Sequence, residues 1–139
     1  MFAEVSDVFK NYADAVFEKD VDKFLSGYAP DVHLYDCWNS WEYNGIEEWK
    51  TAVTEWFGGL EEGVLLRTEL FNEFSKENAE LAHVRGSMSF AAVDRDGQEL
   101  RKMVNRFTFM LEKVNGSWRI IHEHSSLPIS TEDDKAIFG

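Results

Sequence analysis

The sequence predicts an α+β domain in which helices come first and a long antiparallel meander follows. Up to residue 57, apolar side chains recur mainly at the spacing of amphipathic helices. From residue 64 onwards they alternate with a period of two, and short polar turns interrupt the alternation. A strongly bent sheet wrapped around a helix would form a cone with a cavity at its open end.

The first half of the chain contains three segments with helical periodicity, at residues 4–18, 21–28 and 46–57. Asp20 precedes the second segment and is a favourable N-cap residue. Ala29-Pro30-Asp31 is expected to end that helix, and Gly58-Gly59 to end the third. Between the helices, a strand is predicted at 32–38 and a loop or short hairpin at 39–45.

The second half predicts four strands, at residues 64–74, 80–93, 98–114 and 115–128. Asn115-Gly116 is a strong hairpin signal, and Pro128 closes the last strand because it cannot donate to a ladder. Gly86 within the second of these strands indicates a bulge or a sharp bend.

Length and charge limit the classes of function. The 139 residues fit one domain, with 129–139 as an acidic C-terminal tail. The formal net charge is −12, from 14 Lys and Arg against 26 Asp and Glu, so nucleic acid and anionic membranes are poor partners. No apolar run is long enough to span a membrane.

Cysteine usage and the N-terminus favour a cytoplasmic protein. Cys37 is the sole cysteine, which rules out an internal disulfide and is typical of a reducing compartment. The first residues lack the basic and then apolar pattern of a signal peptide.

The last predicted strand carries Trp118, Ile120, His122, His124 and Ser126 on one parity. This face changes from apolar to titratable along its length, as expected of a strand that leaves the core and enters a cavity. Alternatively, the histidines are hydrogen-bonded sheet residues without a chemical role.

A metal site is not expected. Two histidines at positions i and i+2 are able to chelate, but His33 and His83 show no spacing that would complete a site. No phosphate-binding loop or nucleophile motif is present either, so no cofactor is expected.

Residues Arg106 to Pro128, RFTFMLEKVNGSWRIIHEHSSLP, resemble the closing hairpin of SnoaL-like domains, in which the Trp, the H-x-H and the following Ser recur. These domains belong to the nuclear transport factor 2-like superfamily, and the resemblance extends over nearly the whole chain. It implies a cone-shaped, cystatin-like α+β fold, with N-terminal helices packed in a strongly bent, mostly antiparallel sheet.

Residues Tyr12 to Asp36 are similar to ketosteroid isomerases without a gap. The resemblance implies that Tyr12 holds an oxyanion and that Asp36 is a general base. The second oxyanion donor of those enzymes is a protonated aspartate on a later strand, where this chain has Asn105, Arg106 and Thr108. The complete isomerase set is therefore absent, and the substrate is not indicated.

The residues themselves also single out Asp36. It shares the parity of Val32, Leu34 and Trp38, and burial beside such side chains raises a carboxyl pKa, which suits a base acting next to a carbonyl. Alternatively, Asp36 pairs with Arg106 for structure alone. The Tyr12 hydroxyl is expected to donate either to a ligand oxygen or to a core acceptor.

Arg106 and Thr108 share the parity of apolar residues on their strand. The guanidinium is expected to meet Asp36 or a ligand carboxylate or enolate, or else to lie on the outer face in a dimer ion pair. Trp38, Trp56 and Ser126 complete the expected ligand-binding set.

These patterns predict a small-molecule pocket protein whose ligand is acidic or contains a carbonyl. If it is an enzyme, the expected chemistry is that of an acid–base isomerase, lyase or cyclase, with Asp36 as base and Tyr12, His122 or His124 as acid. The alternatives are a non-catalytic ligand-binding protein and an oligomerisation module. A homodimer is expected because the long strands carry apolar residues on both faces.

Overall fold

A computed structural model describes residues 1–139. The three helices are α1 (Val5–Glu18), α2 (Val21–Leu25) and α3 (Ile46–Gly58). Asp20 caps α2 by accepting a hydrogen bond from the Lys23 N–H, as its position predicts. The apolar stripe of α1 is buried through Val8, Tyr12 and Val16.

Six strands form one curved, unclosed sheet, β1 (Tyr28–Tyr35), β2 (Tyr43–Asn44), β3 (Leu65–Glu77), β4 (Leu81–Val93), β5 (Glu99–Val114) and β6 (Ser117–Ser126). Their order across the sheet is β2-β1-β6-β5-β4-β3. All neighbours are antiparallel except β1 and β6, which run parallel. The predicted cone-shaped α+β architecture is confirmed.

The first strand is the main error in the predicted boundaries. It begins at Tyr28 and ends at Tyr35, so Ala29-Pro30-Asp31 lies within the strand instead of ending a helix. The helix stops earlier, at Leu25, and the chain turns at Ser26 and Gly27. Pro30 is tolerated because the ladder between β1 and β6 is interrupted between Tyr28 and His33.

Gly86 lies opposite a bulge of the neighbouring strand. The register of β3 with β4 shifts between Phe71 and Phe74, which brings the β3 backbone close to Gly86. A Cβ atom at Gly86 would lie 3.0 Å from both the Phe71 carbonyl oxygen and Leu70 Cδ1. Glycine is therefore required by the close approach of the two strands.

A second bulge, in β6, decides which side chains face the interior. Leu111 pairs with Ile120, whereas the preceding Met110 pairs with His122, so Ile121 is the extra residue. Trp118 and Ile120 are buried before the bulge, and Glu123 and Ser125 are buried after it. The bulge thus inverts the parity expected from the sequence and turns His122 and His124 to the outer face.

The core lies between the helices and the inner face of the sheet, where Phe24, Phe109 and Trp118 are among its largest buried side chains. The C-terminal segment folds back instead of extending away: Ile129 forms a bridge with Ala136, and the Gly139 N–H donates to the Val104 carbonyl. Phe138 then stacks on Trp38, which lies at the cavity.

Candidate functional site

The open end of the curved sheet holds a cavity of about 800 Å³ between α3 and the inner faces of β3 to β6. Apolar and aromatic side chains form most of its wall, including Trp38, Tyr43, Trp49, Trp56, Phe90 and Phe107. Four carboxyl groups and two cations also line it, namely Asp36, Glu48, Glu55, Glu123, Arg101 and Lys102. A concave, largely apolar cavity with a few polar groups is typical of a small-molecule site.

Asp36 follows the last residue of β1 and faces this cavity. Its Oδ1 accepts a hydrogen bond from the Ser125 hydroxyl at 3.1 Å, and the same Ser125 oxygen accepts the Cys37 N–H at 2.9 Å. Burial raises the pKa of the Asp36 carboxyl, while the bonds from Ser125 and from the Trp38 backbone lower it. Ser125 thus holds the carboxylate in one orientation.

Glu123 is the second carboxyl group of the cavity and is only 2% exposed. The Tyr28 hydroxyl donates to its Oε1 at 2.6 Å. Burial raises the pKa of Glu123 to about 8, against a smaller opposing effect of the Tyr28 bond; the negative charge of Asp36 raises it further. Glu123 is therefore mainly protonated at neutral pH and able to donate a hydrogen bond.

The Tyr12 side chain projects from α1 into the cavity that Asp36 and Glu123 also line, and it is 4% exposed. Burial raises the pKa of its hydroxyl well above the ordinary value, and the charges of Glu123 and Asp36 raise it further. Tyr12 is therefore a neutral hydrogen-bond donor at any physiological pH.

Two other polar groups of the cavity wall have no hydrogen-bond partner in the protein. The Asn105 side chain donates through Nδ2 to Cys37 Sγ at 3.4 Å, which leaves its buried Oδ1 unpaired. The buried Trp49 N–H points towards the Tyr28 hydroxyl but makes no hydrogen bond of acceptable geometry; burial raises the pKa of that hydroxyl well above its ordinary value, and Trp49 opposes this only slightly. Buried polar groups without partners are costly unless a ligand or water bonds to them.

The structure brings four of the nine predicted site residues to the cavity: Tyr12, Asp36, Trp38 and Trp56. The other five, Arg106, Thr108, His122, His124 and Ser126, lie on the outer face of the sheet, and the expectation that they line the same cavity is wrong.

Two features of the sheet explain why these five residues lie on its outer face. The bulge at Ile121 turns the polar residues of β6 outward. In β5 both faces of the strand carry apolar residues, and the face with the larger ones, Phe107 and Phe109, is the buried face. Arg106 consequently lies opposite Ser126 and Ser87 and does not pair with Asp36.

Glu123 was missed because simple alternation placed it on the outer face. The one feature of the sequence that could have pointed to Glu123 is its position between two histidines, directly after a run of apolar residues. No glycine marks the bulge at Ile121, so its position is not visible in the sequence.

The structure contains no group of three or more His, Cys, Asp or Glu side chains placed to hold a metal ion. None of its helices combines the length and apolar character needed to cross a membrane.

Comparison with known families supports the architecture. Residues 5–130 match the model of the SnoaL-like domain. The chain belongs to the SnoaL-like family. Its fold is that of small-molecule-binding proteins and of isomerase-like and cyclase-like proteins. No protein of curated function matches the sequence.

Several solved structures share the fold at low sequence identity. An NTF2-like protein of unknown function from Pseudomonas putida KT2440 superposes with a TM-score of 0.82 at 22% identity, covering 98% of this chain and 92% of that one. A protein with a cystatin-like fold from Caulobacter vibrioides gives 0.70 at 18% identity, covering 92% and 89%. An NTF-2 like protein of unknown function from Shewanella oneidensis MR-1 gives 0.68 at 21% identity, covering 88% and 95%.

Proposed function

We propose that this SnoaL-like protein is a cofactor-independent acid–base enzyme of the isomerase, lyase or cyclase type. The observation that carries the proposal is that Asp36 and Glu123 face one largely apolar cavity in different environments. The bond donated by Ser125 opposes the rise in pKa that burial causes at Asp36, whereas burial raises the pKa of Glu123 to about 8. Two carboxyl groups whose environments differ in this way are typical of an acid and a base in one active site.

In the proposed reaction, Asp36 removes a proton from a carbon next to a carbonyl group. The electron pair of the C–H bond moves towards the carbonyl oxygen, which becomes negative and accepts hydrogen bonds from Tyr12 and Glu123. Protonated Asp36 then returns the proton to another carbon, or a leaving group departs and a double bond remains. Tyr28 occupies Oε1 of Glu123, so the proton of the neutral carboxyl lies on Oε2.

The charge of the cavity favours a carbonyl-containing ligand over an acidic one. Arg106, the expected partner of a ligand carboxylate, lies on the outer face. The two cations of the cavity wall, Arg101 and Lys102, are exposed, and Arg101 is already paired with Glu61 at 2.7 Å. A carboxylate placed beside Asp36 would meet a like charge, and the exposed Lys102 is the one cation of the wall that is not in an ion pair.

A non-catalytic binding protein is the second candidate. The unpaired Asn105 Oδ1 and Trp49 N–H support it, since a ligand with a matching donor and acceptor would satisfy both groups without any chemistry. In that case Asp36 is a recognition group, and a tightly bound ligand is never converted.

Incorporation of deuterium from D2O into an aromatic ketone such as 2-tetralone, followed by proton NMR, tests the enzyme proposal. The wild-type protein is expected to accelerate exchange at the carbon next to the carbonyl. Asp36→Asn is expected to reduce the acceleration by at least about a hundredfold, the usual size of a general-base effect, while probe affinity stays within about tenfold. Tyr12→Phe should reduce it less, because Glu123 remains as a donor.

Asp31→Asn, at an exposed position of the same strand, is the matched control and should behave as the wild type. Equal exchange rates in wild type and Asp36→Asn would contradict the proposed base. A panel of ketones that bind but never exchange would favour the binding protein.

A further inference from the structure

Four aromatic rings and a carboxylate meet on the outer face of the sheet, behind the cavity. They belong to His33, Tyr35, Glu42, His122 and His124 and are called here the outer-face clasp. The His33 and His122 rings lie nearly parallel and side by side, with 5.2 Å between centroids and 11° between their planes. Tyr35 packs edge-on against both of these rings and against His124.

A chain of two hydrogen bonds runs through the clasp. His33 Nε2 lies 2.7 Å from a Glu42 carboxylate oxygen, and His33 Nδ1 lies 3.1 Å from His122 Nδ1. An ionised Glu42 only accepts, so His33 carries a proton on Nε2. The lone pair of His33 Nδ1 then accepts the N–H of His122 Nδ1, and a contact between two Nδ1 atoms holds a single proton.

The clasp lies directly behind the proposed acid and base. After the interruption in the ladder, β1 pairs with β6 only through His33 with His122, Leu34 with Glu123, and Tyr35 with His124. Asp36 directly follows the last residue of β1 and accepts a hydrogen bond from Ser125 on β6. These few pairs therefore determine where Asp36 lies relative to Glu123.

We propose that the outer-face clasp is a positioning device that locks the end of β1 onto β6 and thereby holds Asp36 against Ser125 in the cavity. His33, His122 and Glu42 are positioning residues, since none of them lines the cavity. The consequence for turnover rests on the proposed function, whereas the effect on the Asp36 carboxyl does not.

The single shared proton makes the clasp sensitive to acid. A single added proton can still leave only one N–H between the two Nδ1 atoms, so the contact is kept. A second proton places N–H groups on both sides of the 3.1 Å contact, and the contact opens. The groups facing His122 are His33 and Tyr35 from β1, His124 on its own strand and the uncharged Met110 from β5, with Glu42 beyond His33.

Burial lowers the pKa of His122 from its usual 6.5; a hydrogen bond with the His33 backbone opposes this, and the charges of His33 and His124 lower the pKa further. A histidine whose pKa is depressed by folding binds fewer protons in the folded state than in the unfolded one. Its contribution to stability is thus present above pH 6.5 and is lost as the pH falls from there through the lowered value. We expect the clasp to open in that acidic range.

Two substitutions of Glu42 separate positioning from a general loss of structure. Glu42→Gln keeps an acceptor for the His33 N–H, while Glu42→Leu removes it, and the partly exposed position tolerates both. In ligand-free protein at pH 7.5, ¹⁵N NMR of the imidazoles should show the Nε2–H form of His33 in wild type and Glu42→Gln, and a tautomeric mixture in Glu42→Leu.

The ¹³C titration of the Asp36 carboxyl is the decisive readout. Its raised pKa should be unchanged in Glu42→Gln and should fall towards the ordinary value in Glu42→Leu, because a loosened strand end lets water in and burial, the largest cause of the rise, outweighs the bond from Ser125 that is weakened at the same time. His83→Gln, on the same outer face but outside the clasp, should leave it unchanged.

An unchanged Asp36 titration in Glu42→Leu, with His33 tautomers altered, would overturn the proposal. So would equal effects of Glu42→Leu and His83→Gln. Both outcomes are independent of turnover: a protein without any enzymatic activity can still show the shift, and an active enzyme can fail to show it.

Discussion

At the scale of single residues, the proposed chemistry depends on how two of the cavity's carboxyl groups, Asp36 and Glu123, are held. Ser125 donates to Asp36 and Tyr28 donates to Glu123, each from a buried position. The difference is that Asp36 lies partly open to the cavity, whereas Glu123 is almost completely enclosed. Burial is the largest cause of the raised pKa at both groups, and hydrogen bonds oppose it at each, but only the almost completely enclosed Glu123 is raised as far as about 8.

Glu123 is expected to make the free energy of unfolding fall as the pH becomes alkaline. Its pKa is raised from 4.5 to about 8, so the folded state binds more protons than the unfolded state between these values. The stability associated with protonated Glu123 is full below pH 4.5 and is lost as the pH rises through 8. Glu123→Gln removes this dependence, and the difference between the two proteins should reach the order of a few kcal/mol by pH 9.

Urea unfolding at pH 6 and pH 9 checks this prediction. Glu112→Gln, at an exposed position of β5, is the control and should follow the wild type at both values. A wild-type protein that is as stable at pH 9 as Glu123→Gln would show that Glu123 ionises without cost.

The hydrogen bond from Ser125 is expected to lower the pKa of Asp36. Ser125→Ala removes the donor to the Asp36 carboxylate, so the already raised pKa of Asp36 should rise further. It also leaves the Cys37 N–H without an acceptor, and stability should fall by about 1–2 kcal/mol. Carboxyl titration and urea unfolding measure the two effects; Ser126→Ala, on the outer face, should change neither.

At the scale of elements, the sequence determines the helices and most strands but not the irregularities. The stripe of α1 places Tyr12 correctly, and the alternation of β1 places Asp36 correctly, because both elements are regular up to those residues. In β6 alternation fails at Ile121, since a bulge depends on pairing with β5 and leaves no glycine or proline signal. Glu123 and the histidines were therefore assigned to the wrong faces.

The bulge of β3 gives a test at this scale. Gly86→Ala places a Cβ atom at 3.0 Å from a carbonyl oxygen of β3, and the strands must separate to accept it. The free energy of unfolding should fall by about 1–3 kcal/mol in urea. Gly58→Ala has nothing within 4 Å of the added atom and is the control; an equal effect of both changes would show that the close approach costs nothing.

At the scale of the whole molecule, the outer face of β3 leaves apolar side chains uncovered. Leu65, Phe71 and Phe74 lie on this side, and Phe74 is 45% exposed beneath Arg85. Packing two such faces about a two-fold axis would cover these side chains, and for this reason a homodimer is still predicted.

Light scattering at micromolar concentration should give twice the 16.1 kDa chain mass. Phe74→Glu should shift the protein to a monomer, because it buries a charge in the proposed interface. Trp41→Glu is the control: Trp41 is 91% exposed but lies in the loop after β1, away from that face. A monomeric wild type, or an equal response to both changes, would contradict a dimer through this face.

The most direct measurement of the central claim is the titration of the Asp36 and Glu123 carboxyl groups in one ¹³C-labelled sample of the ligand-free protein. The account predicts two separate transitions, with Asp36 ionising first and Glu123 only near pH 8. Asp36→Asn should remove the first transition and lower the second, since the negative charge of Asp36 raises the pKa of Glu123. If Glu123 instead ionises near its ordinary value of 4.5, it is not an acid at neutral pH, and the proposed division into base and acid is wrong.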